Sequence, residues 1–160
     1  MKFRQRGDDV AHAPERVRLE VEGVQRGEPA EAKQTLQRAV DVLPQAKHVE
    51  VLSKFAQLEF KHGAPERGRT AFDGVLASFP KRVDVWSVFL DMELKAAKEA
   101  GADQDAVRRL FERVITLRLS SKKVKFFFSR YLKYAREVED DELVAHVQAR
   151  AREWVEGATA

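Results

Sequence analysis

Two segments of this 160-residue chain recur at almost the same spacing, and no other feature of the sequence limits the fold as strongly. The 18 residues that begin at Gly27 recur at Gly63 with their glycine, their apolar positions and their closing proline. A second segment begins at Val49 and recurs 34 residues later at Val83, with matching apolar positions and a matching glutamate. A unit of about 34–36 residues made of two amphipathic helices is typical of helical-repeat solenoids. No window shows the valine-rich alternation of apolar and polar residues that predicts a strand, so the sequence predicts an all-α fold.

The repeat predicts a right-handed superhelical solenoid of antiparallel helix pairs, about four hairpins long. Glycine and proline lie between the apolar stretches, where they end one helix and begin the next. We expect a single helical-repeat domain over residues 1–160, and we expect the chain to begin inside a longer array because terminal repeats usually carry polar caps. The predicted helices cover residues 14–26, 29–42, 47–62, 65–78, 82–99, 103–119, 121–138 and 141–156.

Each hairpin shows one pattern in its first helix and another in its second. The first helix carries large apolar residues three positions apart, followed by a glutamate that Ala135 replaces in the fourth pair. The second helix carries a basic residue three positions before a large apolar residue. Spacings of three and four place such residues on one helical face. The residues predicted to be structural are Phe55, Glu59, Arg69, Phe72, Trp86, Phe89, Glu93, Arg108, Phe111, Phe128 and Tyr131.

The two repeated glutamates, Glu59 and Glu93, allow two interpretations. As functional residues they would contact a ligand beside the apolar face. As structural residues each would pair across its own hairpin with a basic residue of the second helix, namely Arg69 for Glu59 and Arg108 for Glu93, or a near neighbour. The structural interpretation is favoured.

The sequence lacks the motifs of the common catalytic and cofactor sites. It contains no cysteine, no Gly-rich phosphate loop and no dinucleotide fingerprint. Asp103 and Asp105 resemble the start of a calcium loop, but the glycine and the later glutamate of such a loop are missing. The histidines are far apart in sequence and are predicted to be solvated or turn residues: His12, His48, His62 and His146. We therefore predict no enzyme activity, no cofactor and no metal site.

No stretch approaches the roughly 18 uninterrupted apolar residues of a membrane span. The N-terminus has two early basic residues with no apolar segment after them, which does not fit a secretory signal. We expect an intracellular protein without a membrane partner.

The charge excess of the whole chain is small, +3 from 29 basic and 26 acidic residues, so any nucleic-acid surface has to be local. Residues 118–136 provide such a surface, because they contain seven basic residues and no acidic one. On a helix of about 100° per residue most of these cations gather opposite the apolar face. The candidate residues for binding RNA or a protein partner are Lys122, Lys123, Lys125, Phe126, Arg130, Lys133 and Arg136.

Phe126 also allows two interpretations. A solenoid helix can pack on two sides, which would bury Phe126 in the core, and this is the favoured interpretation. In the other, Phe126 is an exposed ring among cations that stacks on an unpaired base or anchors a partner.

The first-helix motif Trp-x-x-aromatic-x-x-apolar-Glu, present from Trp86 to Glu93, resembles the half-a-tetratricopeptide (HAT) repeat. Four segments are also similar, in order and spacing, to the C-terminal helical-repeat region of a family of eukaryotic ribosomal RNA-processing factors that carry many S1 RNA-binding domains. These segments are KFAQLEFKHG, PKRVDVWSVFLDME, RRLFERVITL and KKVKFFFSRYLKY. The resemblance extends from about Lys2 to Val155 and is strongest between Val49 and Tyr134.

The chain departs from the pattern of that family in three respects. Arg16 stands in the tryptophan position of the first hairpin, the turn around Gly101 is longer, and no S1 domain is present.

The resemblance implies a nucleolar, non-catalytic scaffold of the small-subunit processome that acts in early processing toward 18S rRNA. It implies pre-ribosomal assembly factors as protein partners, with pre-rRNA or small nucleolar RNA as further candidate partners, and no small-molecule substrate. Two alternatives remain: a direct RNA-binding module, and a HAT scaffold of the splicing or mRNA 3′-end processing machinery.

Overall fold

The structure is a computed structural model, and it describes residues 29–99 and 101–159. Within these residues the chain forms seven helices and no strand, so the all-α prediction is confirmed. The predicted helix over residues 14–26 and the predictions for His12 and Arg16 lie outside the described residues. The helices are α1 Pro29–Val42, α2 Gln45–His62, α3 Pro65–Ser78, α4 Val83–Ala96, α5 Asp105–Ile115, α6 Ser121–Glu137 and α7 Asp141–Thr159.

Proline and glycine set the helix ends as the sequence predicts. Both α1 and α3 end two residues before a proline, Pro44 and Pro80 respectively, since the residue before proline disfavours the helical conformation. Pro65 occupies the first turn of α3, where its missing N–H costs no hydrogen bond. Between α4 and α5, Gly101 adopts a φ of 77°. This left-handed backbone conformation favours glycine, because glycine has no Cβ.

Two predicted helices are longer than the observed ones by several residues, and a third, 121–138, by one. Helix α4 ends at Ala96 and not at residue 99, because turns lead into Gly101. Helix α5 ends at Ile115 and not at residue 119. Just after this end, the Thr116 hydroxyl donates to the Arg113 carbonyl oxygen at 2.7 Å. A hydroxyl that bonds the preceding turn competes with continuation of the helix.

The chain divides into two compact units, Met1–Ala102 and Asp103–Ala160. Of the first unit the structure describes α1 to α4, and of the second α5 to α7. The single domain expected over residues 1–160 stays a prediction.

The core of the first unit forms where α4 packs on both helices of the preceding hairpin, α2 and α3. Phe72 of α3 stacks on Phe89 of α4 with ring centroids 4.7 Å apart. Phe60 of α2 meets the edge of the Phe89 ring at 6.1 Å. Offset and edge-on ring pairs of this kind stabilise a core beyond the area that they bury. Trp86 is 3% exposed, and its Nε1 donates to the Pro80 carbonyl oxygen at 2.8 Å.

The second unit repeats the ring contact one hairpin further along the chain. Phe111 of α5 stacks on Tyr131 of α6 with centroids 4.6 Å apart and planes 7° apart. Leu143 and Val147 of α7 are buried against the same core. Both units therefore use the residue positions that the repeat identified. Phe55 differs from the other aromatic residues predicted to be structural because it is only half-buried and lines a groove between α1, α2 and α3.

Candidate partner-binding surface

The repeated glutamates are both buried and both pair with an arginine of α3. Glu59 is 1% exposed, and Arg67 Nε donates to its Oε2 at 2.8 Å. Glu93 is 3% exposed, and Arg69 donates through Nε and Nη2 to its two carboxylate oxygens at 2.6 and 3.0 Å. The hydrogen bond to Glu93 is the main reason that the pKa of Arg69 is raised. Such two-pronged contacts fix both distance and orientation, which favours the structural interpretation of the glutamates.

The predicted partner of Glu93 is wrong. Glu93 pairs with Arg69 of the preceding hairpin and not with Arg108 of its own hairpin. Because α4 packs on α3, the Arg69 side chain reaches the carboxylate from the neighbouring hairpin. Arg108 instead lies 3.9 Å from Asp140.

A cluster around Glu112, which the sequence did not indicate, joins the three helices of the second unit. The Tyr131 hydroxyl of α6 donates to Oε1 at 2.9 Å, and His146 Nε2 of α7 lies 2.5 Å from the same oxygen. Arg150 Nη1 donates to Oε2 at 2.8 Å. Burial by itself would raise the pKa of Glu112, but the hydrogen bonds of His146 and Tyr131 and the charge of Arg150 outweigh burial and lower it. Burial, together with the bond to Glu112, raises the pKa of Tyr131.

The predicted binding residues all lie on α6. We name them the α6 basic surface: Lys122, Lys123, Lys125, Phe126, Arg130, Lys133 and Arg136. Six of them are exposed and Arg130 is half-buried. Phe126 is 46% exposed, so the prediction that it packs in the core is wrong. Other residues already occupy the core-facing side of α6, since Val124, Phe127 and Tyr131 are buried there.

The α6 basic surface has two sides. On one side Phe126 lies 6.0 Å from the Arg130 guanidinium carbon and 5.3 Å from the Phe127 ring. A guanidinium at this distance from a ring is within the range of a cation–π contact. On the other side Lys125 borders an apolar depression between α6 and α7. The Phe126 ring and the depression are therefore separate features beside α6.

The depression, which we name the α6–α7 groove, has a volume of about 320 Å³. Its walls are mostly apolar, and Lys125 is its one charged lining residue. Val155 of α7 is 50% exposed at this site. The lining residues are Lys125, Phe128, Ser129, Leu132, Val147, Gln148, Ala151, Trp154 and Val155. The sequence showed no signal for this groove, because its walls come from two helices.

Neither metal coordination nor membrane insertion is indicated in the part of the chain that the structure describes. There, no three His, Asp or Glu side chains come together as a metal-binding group. Across the same residues, every helix is too short or too polar to span a bilayer.

Comparisons with known proteins agree with the helical-repeat fold. Residues 46–153 match the family model for the PRP39 N-terminal HAT repeat. The chain is 49% identical over 120 residues to the rRNA biogenesis protein rrp5 of Schizosaccharomyces pombe, which is 75% of this chain and 7% of the relative. It is 45% identical over 133 residues to the human protein RRP5 homolog, 83% of this chain and 7% of the relative. The Arabidopsis thaliana rRNA biogenesis protein RRP5 is 45% identical over 123 residues, 77% of this chain and 6% of the relative. The chain thus spans about 7% of the length of the first of these relatives.

Proposed function

This chain belongs to the HAT repeat family and is similar to one segment of RRP5 proteins, and from this we propose that it is a non-catalytic scaffold in ribosome biogenesis. In this role it binds other assembly factors in the nucleolus during early processing toward 18S rRNA. Its protein partners are components of the small-subunit processome.

The α6 basic surface is the observation that carries the proposal. It presents exposed cations along one helix while the opposite face of that helix is buried in the core. The net charge of +3 is small, so this concentration on one helix indicates a local contact surface. Three carboxylates in contacts between helices support a non-catalytic role, because Glu59, Glu93 and Glu112 are all held in ion pairs within their own unit.

A second candidate function, direct binding of pre-rRNA or small nucleolar RNA, is favoured by Phe126. Its ring is 46% exposed and lies beside Arg130. Exposed aromatic rings flanked by cations stack on unpaired bases. This function predicts a steep loss of affinity with salt, whereas an apolar protein contact predicts a shallow one.

The experiment is a pull-down of the tagged protein, with mass spectrometry of the proteins and sequencing of the RNA that co-purify. We expect processome proteins together with pre-ribosomal RNA. Recovery of splicing or mRNA 3′-end factors in their place would contradict the proposal and favour a HAT scaffold of those machines.

Charge reversal tests the surface itself. Lys122, Lys125 and Lys133 are changed together to Glu, and Phe126→Ala is made separately. The control reverses three exposed lysines of the first unit, Lys54, Lys81 and Lys98, and so changes the net charge by the same amount. We expect the α6 reversal to deplete the co-purifying partners and the control to retain them. Equal recovery with both variants at physiological salt would mean that the α6 basic surface is only a solvated face. Loss of RNA alone in Phe126→Ala would support the second function.

A further inference from the structure

The packing of α4 in the first unit shows which face of a hairpin of this chain can bind a further helix. Helix α4 contacts both helices of the preceding hairpin. On the α2 side the contact includes Phe60, whose ring meets Phe89 of α4 at 6.1 Å. Val49 and Ser53 share the face of Phe60 at helical spacing and are 3% and 9% exposed. In this α2 stripe, beside the helix that packs on it, Val49 and Ser53 are buried and Phe60 is half-buried.

The corresponding stripe of α6 is exposed. The shared aromatic register pairs Phe55 with Tyr131, an offset of 76 residues. The same offset places Lys125, Ser129 and Arg136 at the positions of Val49, Ser53 and Phe60. All three are exposed, and Leu132 between them is half-buried. The hairpin of α6 and α7 thus presents, uncovered, the position that α4 fills on the hairpin of α2 and α3.

The α6–α7 groove lies along this stripe. Ser129 and Leu132 form part of its wall, and Trp154 and Val155 of α7 form the opposite part. At about 320 Å³ it has room for apolar side chains of a helix, and it is lined by hydrophobic groups as helix-binding grooves are. A polynucleotide backbone would find one cation, Lys125, among the lining residues.

Basic side chains of α6 lie beside the apolar walls of the α6–α7 groove. Lys125 is on the lining, and Lys122 and Arg136 are exposed on the same side of α6 at spacings of three and eleven residues. The segment 118–136 contains no acidic residue, and Glu137, which follows it, lies 3.9 Å from Lys133. Complementary charge beside an apolar stripe selects a partner and speeds its association.

We propose that the α6–α7 groove binds an amphipathic helix of a partner protein, with apolar residues directed into the groove and acidic residues beside Lys122, Lys125 and Arg136. This inference rests on the proposed scaffold function but concerns a different feature from the Phe126 ring. The α6 stripe along the groove carries Lys125 and Arg136 at the positions of the apolar Val49 and Phe60 of α2, so an acidic helix fits beside the groove better than a neutral one.

The test uses synthetic peptides and the whole chain. The probe is a fluorescein-labelled 21-residue helical peptide with leucine at positions i, i+4, i+7, i+11 and i+14 and glutamate beside that stripe. A matched peptide carries lysine in place of each glutamate, and a 20-nucleotide oligouridine represents RNA. Binding is measured by fluorescence anisotropy at physiological salt. We expect the glutamate peptide to bind at least tenfold more tightly than the lysine peptide.

Variants locate the binding site. The double reversal Lys125→Glu with Arg136→Glu changes exposed residues, and we expect it to invert the preference so that the lysine peptide binds more tightly. Ala151→Glu places a charge in the groove, and we expect it to abolish binding of both peptides. The emission of Trp154 should shift when the glutamate peptide binds, and Trp154→Phe should remove that shift. Circular dichroism of each variant checks that the helices are retained.

Three results would overturn the inference. The first is equal binding of the two peptides, or an unchanged preference in the double reversal. The second is tighter binding of oligouridine than of the glutamate peptide, with sensitivity to Ala151→Glu, which would assign the groove to RNA. The third is a dimer of the chain in sedimentation velocity that Ala151→Glu dissociates, which would assign it to a second copy. These measurements use the purified chain, so their outcome is independent of the pull-down. If the peptides do not bind as expected while the pull-down still recovers processome proteins, the scaffold proposal stands and the proposal for the groove is wrong.

Discussion

At the scale of single residues, the repeats differ at the position of Glu93, and the polar contacts of the two units differ with it. Glu93 of α4 receives two hydrogen bonds from Arg69. At the same register position α6 carries Ala135, which is fully buried. Arg108 therefore has no carboxylate at that position and lies near Asp140. The second unit uses Glu112 of α5 to join its helices.

Changing Glu93 to Gln should lower the free energy of unfolding by about 2 kcal/mol, because a charge-assisted pair loses its charge while Arg69 stays partly buried. The control is the exposed Glu99→Gln, which should change stability by less than about 0.5 kcal/mol. Urea denaturation measures both. A double-mutant cycle with Arg69→Gln should show coupling, and a cycle with Arg108→Gln should be additive. Coupling to Arg108 in place of Arg69 would contradict the observed pairing.

The cluster around Glu112 predicts an acid-sensitive contribution to stability. The pKa of Glu112 is lowered below its usual value of 4.5 in the folded chain, so the folded state holds fewer protons there than the unfolded state. Its stabilising contribution is complete above the unfolded pKa and is lost as the pH falls through the folded pKa.

Urea midpoints measured between about pH 6 and pH 3 should therefore fall less steeply for Glu112→Gln than for the unchanged chain. The two curves should converge at the acidic end, where Glu112 is protonated in both states. Parallel curves over the whole range would show that Glu112 keeps its ordinary pKa.

At the scale of helices, the contact between α2 and α3 depends on the absence of one side chain. A Cβ at Gly68 would lie 2.3 Å from Phe60 Cδ2 and 3.0 Å from the Ala56 carbonyl oxygen. A methyl group there forces α2 and α3 apart or displaces the Phe60 ring from Phe72 and Phe89. Gly68 is therefore required by packing and not by backbone conformation.

Two glycines of α3 provide a matched test of this requirement. Gly68→Ala should lower the free energy of unfolding by about 1–3 kcal/mol, because overpacking exceeds the helix propensity gained. Gly74 has no atom within 4 Å of an added Cβ, so Gly74→Ala should raise stability by about 0.5–1 kcal/mol. Thermal unfolding followed by circular dichroism measures both. A stabilising Gly68→Ala would mean that the helices separate at no cost.

Trp86 anchors α4 through both its ring and its indole N–H. The side chain is 3% exposed and donates to the Pro80 carbonyl oxygen in the turn before its helix. Trp86→Ala should cost about 3–5 kcal/mol by leaving a cavity. Trp86→Phe keeps most of the ring volume and should cost less. An unfolding midpoint for Trp86→Ala that resembles that of a surface variant would contradict this role.

At the scale of the whole molecule, the ion pairs that join helices and the exposed cations of the α6 basic surface involve different residues. The ion pairs of the buried Glu59 and Glu93 lie within the first unit, whereas the cations of the α6 basic surface are mostly exposed. Exposed charges contribute little to stability. Binding of an oppositely charged partner, in contrast, depends on them directly.

Reversal of Lys122, Lys125 and Lys133 to Glu changes the net charge from +3 to −3, since each substitution shifts it by two units. The free energy of unfolding should nevertheless change by no more than about 0.5 kcal/mol per site, because the three side chains are exposed. Urea denaturation at low and high salt measures this. Unfolding of the variant under native conditions would show that these lysines hold the fold together.

The sequence by itself determined the helices of this protein and the faces that they bury. Helical periodicity, proline and glycine act within a few residues, so α2 and α3 end close to where the sequence predicts. The stacked pairs of Phe72 with Phe89 and Phe111 with Tyr131 follow from the same repeat.

Only the tertiary structure decided which side chains from different helices meet. Glu93 pairs with Arg69 of the preceding hairpin because α4 packs on α3, whereas the sequence pattern favoured Arg108 of its own hairpin. Glu112, His146 and Arg150 come together from two helices, although 34 or more residues separate Glu112 from the other two. Phe126 stays exposed because neighbouring residues of α6 already fill the core. Periodicity specifies the direction of a side chain from its own helix axis, and the packing of helices specifies what lies in that direction.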